Sequence, residues 1–265
     1  MKIVKLQDAE LRCEHLPRPG APALLMLNSL GTSLELWDEQ AAALAERFEL
    51  VRYDVRGHGK SSVGARSELT IAQLADDALA VLDACGIARA HLCGLSLGGM
   101  TAMHIARHSP DRVLRVMLCN TAPHIAPQQA WQARIDTVLN QGMVALTEGI
   151  LERWFTPGFR ADHADKVDQV RQMLLATDPR GYAACCAAIR DMDLRDDIRS
   201  LDAITLVIGG TLDPATPPAQ AELIHQSIKS SRLMMLEAAH LSNIERAAEF
   251  TATLLDFLAP ETTAS

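Results

Sequence analysis

No apolar run in this sequence approaches the roughly 20 residues that span a bilayer, so no membrane-spanning helix is expected. No basic start leads into an apolar stretch, so no secretory signal is expected and the cytoplasm is the expected compartment. Positive charge is in deficit, with 25 Lys and Arg against 33 Asp and Glu and a net charge of −8. A nucleic-acid partner calls for a basic face and is therefore not expected. The six cysteines contain no C-x-x-C pair, which leaves zinc-ribbon and thioredoxin-like chemistry without support. Cys13, Cys85, Cys93 and Cys119 lie in apolar surroundings and are expected as buried small hydrophobes; Cys185 and Cys186 are neighbours in a helical stretch. Gly59-Lys60-Ser61 ends like a phosphate-binding loop, but Asp54 stands where its first glycine should be. His104 and His108 have helical i, i+4 spacing, yet Ile105 replaces the Glu of H-E-x-x-H, so both are expected to be solvated or partly packed. No dinucleotide fingerprint is present. Neither cofactor nor metal is expected, and nothing in the sequence indicates an oligomeric state.

What is present is a core. The 265 positions suffice for one large domain or two small ones, and 48% hydrophobic residues are too many for a disordered chain. Strand and helix patterns alternate over most of the length. Ile3–Leu6 and Leu11–Glu14 read as an amino-terminal hairpin. Residues 23–27, 48–53, 90–93, 113–118, 204–208 and 232–236 read as strands. Stretches 36–46, 71–85, 99–108, 219–228 and 247–258 read as helices. From Thr121 to Arg195 the alternation stops, and a helix-like segment interrupted by Pro157 and Pro179 takes over. The expected fold class is α/β, with a mostly parallel central sheet and helices on both faces. A helical cap enters after the sixth sheet strand. Residues 1–120 and 196–259 are the two parts of the core, 121–195 the cap, and 260–265 a polar, frayed tail.

The most telling stretch is Gly94-Leu95-Ser96-Leu97-Gly98, which fits G-x-S-x-G between a short apolar strand and an Ala/Met-rich helix. A serine on so tight a turn has its hydroxyl pushed out of the backbone. The Leu97 amide follows at a helix amino terminus, where unpaired N–H groups face anions. A nucleophilic serine needs a base, and the base needs an orienting acid. Asp213 follows the 204–208 strand in Gly210-Thr211-Leu212-Asp213-Pro214, and His240 follows the 232–236 strand in Ala238-Ala239-His240-Leu241. Both fall at carboxyl ends of expected parallel strands, where ligands bind in open α/β sheets. Ser96, Asp213 and His240 are the candidate catalytic residues. Asp191, Asp193, Asp196 and Asp197 are rival acids, expected instead to be solvated or paired with Arg190, Arg195 and Arg199. An acid after the sixth strand is another known arrangement, but Asn120 stands there. A second oxyanion donor is expected from Asn28-Ser29-Leu30-Gly31-Thr32, with the Leu30 amide the candidate beside that of Leu97.

With these residues in view the chain resembles an α/β-hydrolase over nearly its whole length. Asp54-Val55-Arg56-Gly57-His58-Gly59-Lys60-Ser61 is similar to that family's D-x-R-G-x-G-x-S loop, which is usually structural. Within the superfamily it most resembles the 3-oxoadipate enol-lactonases of aromatic-compound degradation, the β-ketoadipate pathway. Asn28–Thr32 in place of the commoner His-Gly start, Cys93–Gly99, and Gly209–Pro217 carry that resemblance, and Trp154-Phe155-Thr156-Pro157 adds a looser one in the cap. It implies a serine esterase that opens a small anionic lactone to 3-oxoadipate through an acyl-enzyme. Trp131, Trp154 and Phe155 are candidate pocket walls, and Arg134 and Arg153 candidate partners for the substrate carboxylate. Other readings stay open: a carboxylesterase, a carbon–carbon bond hydrolase or a cofactor-free perhydrolase. Further off are a ligand-binding protein on the same scaffold and an interaction module.

Overall fold

The continuous apolar runs become the middle of one sheet. A computed structural model of the chain describes residues 1–259; the expected frayed tail, 260–265, lies outside the described residues. The strands are β1 (Lys2–Lys5), β2 (Glu10–Leu16), β3 (Ala23–Leu27), β4 (Glu49–Tyr53), β5 (Ala90–Leu95), β6 (Val113–Cys119), β7 (Thr205–Gly210) and β8 (Ser231–Leu236). They lie side by side in the order β1-β2-β4-β3-β5-β6-β7-β8. β1 pairs with β2 and β2 with β4 antiparallel, as the alternating amino-terminal pattern implies. Every other neighbouring pair is parallel. All residues of β3, β5 and β7 are buried, which is why these strands read as unbroken apolar runs.

The order reverses at β3. The chain goes one way to β4 through α1 (Asp38–Ala45) and the other way to β5 through α2 (Ile71–Ala84). Right-handed crossovers then put these helices on opposite faces. α2 starts at a capping box in which Thr70 and Gln73 satisfy each other's backbone amides. α3 (Leu97–His108) leads from β5 to β6 and packs on α2. It begins two residues earlier than the sequence pattern suggests, because the elbow turns into helix directly after Ser96.

Between β6 and β7 the described chain contains helices and no strand. They are α4 (Gln128–Gln141), α5 (Val144–Trp154), α6 (Pro157–Asp162), α7 (Ala164–Ala176), α8 (Pro179–Asp191) and α9 (Arg195–Arg199). Pro157 and Pro179 do more than interrupt: each opens a helix, behind the side-chain caps Thr156 and Asp178. α10 (Pro218–Ser227), α11 (Ser242–Glu245) and α12 (Ala247–Phe257) complete the core, with α12 packed on α1. All six cysteines are free and five are buried; Cys85, expected inside, is only partly so because it sits at the open end of α2. Among the described residues no helix is long and apolar enough to cross a membrane.

Candidate active site

Five loops meet at the carboxyl ends of β3, β5, β6, β7 and β8. The β5 loop is the elbow. Ser96 holds φ 55° and ψ −113°, a conformation that side chains avoid. The turn is locked from both sides. The Ser96 amide donates to the Cys119 carbonyl at 3.0 Å, and its own carbonyl accepts the Thr121 hydroxyl at 2.7 Å. Glycine is obligatory around it: a Cβ on Gly94 would come within 2.2 Å of the Gly98 carbonyl oxygen, and one on Gly98 within 2.1 Å of the Leu27 carbonyl oxygen.

The β7 loop supplies Asp213 and the β8 loop His240, each only 2% exposed. His240 Nδ1 and Asp213 Oδ2 are 2.8 Å apart. Asp213 Oδ1 accepts the amides of Ala215 and Thr216, and Oδ2 accepts the Thr216 hydroxyl at 2.7 Å and Asn120 Nδ2 at 3.1 Å. Burial pushes the Asp213 pKa up, but the field and hydrogen bond of His240 and the Thr216 donors overcome it and hold the value at about 2. Asp213 is therefore ionised at any pH at which the fold operates. Ser96 and His240 face one cavity, and among the described residues no hydrogen bond joins them. Such contacts are commonly loose before substrate binds.

Asn120 is a residue that sequence reasoning set aside. It holds φ 41° and joins three loops. Its Nδ2 donates to Asp213 and to the Ala239 carbonyl, and its Oδ1 accepts the Ser242 hydroxyl at 2.6 Å. Glu245 was missed as well. Its carboxylate accepts the amide and hydroxyl of Thr156, at the junction of α5 and α6, and the Ala239 amide next to His240. The Leu241 amide adds a bond to the Trp154 carbonyl at 3.1 Å. No local sequence signal marks either residue, because their partners are remote in the chain.

The β3 loop lies opposite. Asn28 is fully engaged in holding it: Nδ2 donates to the Tyr53 carbonyl at 2.7 Å, and Oδ1 accepts Trp37 Nε1 at 2.9 Å. Asp54, from the loop after β4, accepts the amides of Leu34 and Lys60 and so braces the next turn. Gly31 has φ 80°, the positive value expected of the sharp bend there. Among the described residues neither the Leu30 nor the Leu97 amide donates to a backbone carbonyl, and Leu97 is the first residue of α3. The Ser29 hydroxyl, buried on the same loop, has no hydrogen-bond partner among the described residues.

The cavity holds about 510 Å³. Ser29, Leu30, Ser96 and His240 line its core side, and Trp131, Arg134, Arg153 and Trp154 its other wall. The Trp154 ring lies 6.1 Å from the His240 ring. Arg134 rests over the Trp131 ring at 5.1 Å and donates to the Tyr182 hydroxyl at 3.2 Å. Arg153 approaches closely enough that, after desolvation, the charge of Arg134 lowers its pKa. Among the described residues neither arginine is in an ion pair. Two guanidiniums converging without a carboxylate form a place for an anion. Phe155, expected as a wall, is 1% exposed and turns away to stack on Phe159 at 5.3 Å. The rival acids are occupied elsewhere: Asp191 by Arg190, Asp193 by Arg195, Asp196 by Arg199 and Asp197 by His108.

The pattern of the alpha/beta hydrolase fold family matches residues 22–247, and the chain belongs to that family. Within it the chain is similar to 3-oxoadipate enol-lactonases. The enol-lactonase 2 of Acinetobacter baylyi is 38% identical over 244 residues, which are 92% of this chain and 91% of that protein. Enol-lactonase 1 of the same organism is 36% identical over 231 residues, 87% and 86% of the two chains. The crystal structure of the enol-lactonase from Burkholderia xenovorans LB400 superposes with a TM-score of 0.94 at 40% identity, covering 97% of this chain and 99% of that one.

Proposed function

We propose that this protein is a serine hydrolase of the carboxylic-ester class that opens 3-oxoadipate enol-lactone to 3-oxoadipate. The observation that carries the substrate assignment is the Arg134–Arg153 couple, without a carboxylate partner among the described residues, in the wall facing Ser96 and His240. It suits a small lactone with a free carboxylate arm, and the enol-lactonase relatives support it.

In this reading residues 121–195 act as a cap over the two-part core. His240 Nε2 takes the Ser96 proton as Oγ attacks the lactone carbonyl. Asp213 fixes the tautomer through Nδ1 and stabilises the imidazolium. The amides of Leu30 and Leu97 receive the oxyanion, each such donor contributing about 10²–10³ in rate. The Ser29 hydroxyl is available beside them. When the tetrahedral intermediate collapses, the ring C–O bond breaks and the enol oxygen leaves, still tethered to the acyl chain. His240 returns the proton, and the enol tautomerises to the ketone. Water then attacks the acyl-enzyme with His240 again as base, which frees the diacid and restores Ser96. An enol is a good leaving group, so demand on general-acid catalysis is low.

The test compares kcat/KM for the enol-lactone with that for its methyl ester at the free carboxylate. A lost charge-assisted hydrogen bond is worth about 1.5–3 kcal/mol, so the acid should lead by about ten- to a hundredfold. That lead should shrink in Arg134→Ala and Arg153→Ala. Equal rates for acid and ester in the wild type would remove the carboxylate reading and favour a general esterase. A lead that survives both changes would move the anchor elsewhere.

A further inference from the structure

The i, i+4 histidines that lack a metalloprotease glutamate acquire a third ligand from a distant part of the chain. His104 and His108 lie on α3, with ring centroids 4.2 Å apart. Asp197, on α9, comes up beside them, and one ligand atom from each of the three residues lies within 4.8 Å of the others. His108 Nε2 and Asp197 Oδ2 are 3.3 Å apart. Metal–ligand bonds of about 2.0–2.2 Å at tetrahedral angles put neighbouring ligand atoms about 3.3–3.6 Å apart. The 3.3 Å between His108 and Asp197 matches one edge of such a polyhedron, and the His104 ligand atom lies within 4.8 Å of both. Among the described residues Asp197 pairs with His108 and with no arginine, whereas Asp191, Asp193 and Asp196 are each held by one.

We propose that His104, His108 and Asp197 form a surface site for one borderline divalent transition-metal ion, Zn²⁺ being the probe, which ties α3 to α9. Two imidazoles and one carboxylate are a donor set for zinc, cobalt or nickel and a poor one for the oxygen-seeking magnesium and calcium. Asp197, with Asp76 further off, supplies negative charge beside the two rings, as a bound cation needs. The site is separate from the reaction centre. It links the helix that begins at Ser96 to the short helix that returns the chain to β7, so a bound ion would hold the exit from the 121–195 segment against the core.

The experiment is calorimetric titration of the chelator-treated protein with Zn²⁺, with Mg²⁺ as control. One equivalent of Zn²⁺ should bind, and Mg²⁺ should not compete. Loss of outer-shell partners costs metal sites about 10–100-fold, so loss of a ligand in His108→Ala or Asp197→Asn should weaken binding by at least about tenfold. Zn²⁺ should raise the unfolding temperature of the wild type and not that of either variant. The Co²⁺ derivative should lack the thiolate-to-metal charge-transfer band that a cysteine ligand would give. Zn²⁺ bound equally by wild type and both variants, or a thiolate band, would overturn the assignment, as would the absence of binding.

Discussion

Ser96, Asn120 and Asp213 show how much a single position can carry. Ser96 sits at φ 55° because the elbow requires it, and glycine would adopt that conformation without strain. Ser96→Gly should therefore unfold at a higher temperature than Ser96→Ala, with both inactive; equal melting by calorimetry would argue against strain at the turn. Asp213→Asn removes the group that fixes the His240 tautomer and should cost about 10⁴ in kcat. Asn120→Ala removes a neutral donor to Asp213 and should cost about tenfold in kcat with KM little changed, the scale of one hydrogen bond. A change confined to KM would assign Asn120 to substrate binding instead. Ser29 distinguishes two roles cleanly. If its unpaired hydroxyl meets substrate, Ser29→Ala lowers kcat/KM while melting is unchanged or raised, since no native hydrogen bond is lost. Ser96, Asp213 and His240 were legible because each residue type, its chain order and its strand-end loop agree. Asn120 was not, because a residue that supports an acid has the same local sequence as one that replaces it. Nor could spacing tell that Arg134 and Arg153 share a wall while Phe155, next to Trp154, turns away.

Among the elements, the loop after β4 and the segment after β8 brace the site through side chains that bond to remote backbone. The D-x-R-G-x-G-x-S loop reads as structural, and Asp54 bears that out by binding the amides of Leu34 and Lys60. Its His58 is fully buried, donates Nδ1–H to the Arg56 carbonyl at 2.8 Å, and leaves Nε2 without a partner among the described residues. Burial outweighs that bond and pushes its pKa down from 6.5 to about 4. His91, on β5, is pushed from 6.5 to about 4 by burial and then by Arg115. The folded state thus binds fewer protons than the unfolded chain between about pH 4 and 6.5. Stability from these two sites is complete above that window and is lost as pH falls through it. Asp54 and Asp77, whose burial raises their pKa, act in the opposite sense at its acid end. Urea midpoints should fall from pH 7 to pH 5, and the fall should be smaller in His58→Gln. An identical slope in the variant would remove His58 from the account. In the turn after β8, Glu245 fastens the Thr156 corner to the backbone beside His240. Glu245→Ala should lower the melting temperature and kcat together, since it frees the loop that holds the base. Its long-range bonds explain why no pattern of five or six residues announced it.

At the scale of the molecule, the eight strands and their alternation with helices follow from apolar runs and turn residues, and boundaries shift by one or two residues where caps decide them. The lateral order of the strands rests on which of them pair across the sheet, a long-range choice that no one segment carries. Paths within the 121–195 segment were the least legible part, since helix packing there depends on which faces meet. The net charge of −8 sets the chain at odds with an anionic substrate at long range. Screening over about 8 Å in physiological salt confines that repulsion, which leaves recognition in the proposed reading to the local arginine pair. The measurement that bears most directly on the account is turnover of 3-oxoadipate enol-lactone by the wild type and by Ser96→Ala, with p-nitrophenyl acetate run beside it. The wild type should open the lactone with a kcat/KM far above that for the simple ester, and Ser96→Ala should lose several orders of magnitude in kcat with both. Turnover of the lactone no better than of the simple ester, or a Ser96→Ala protein that keeps even about a tenth of wild-type kcat, would contradict it.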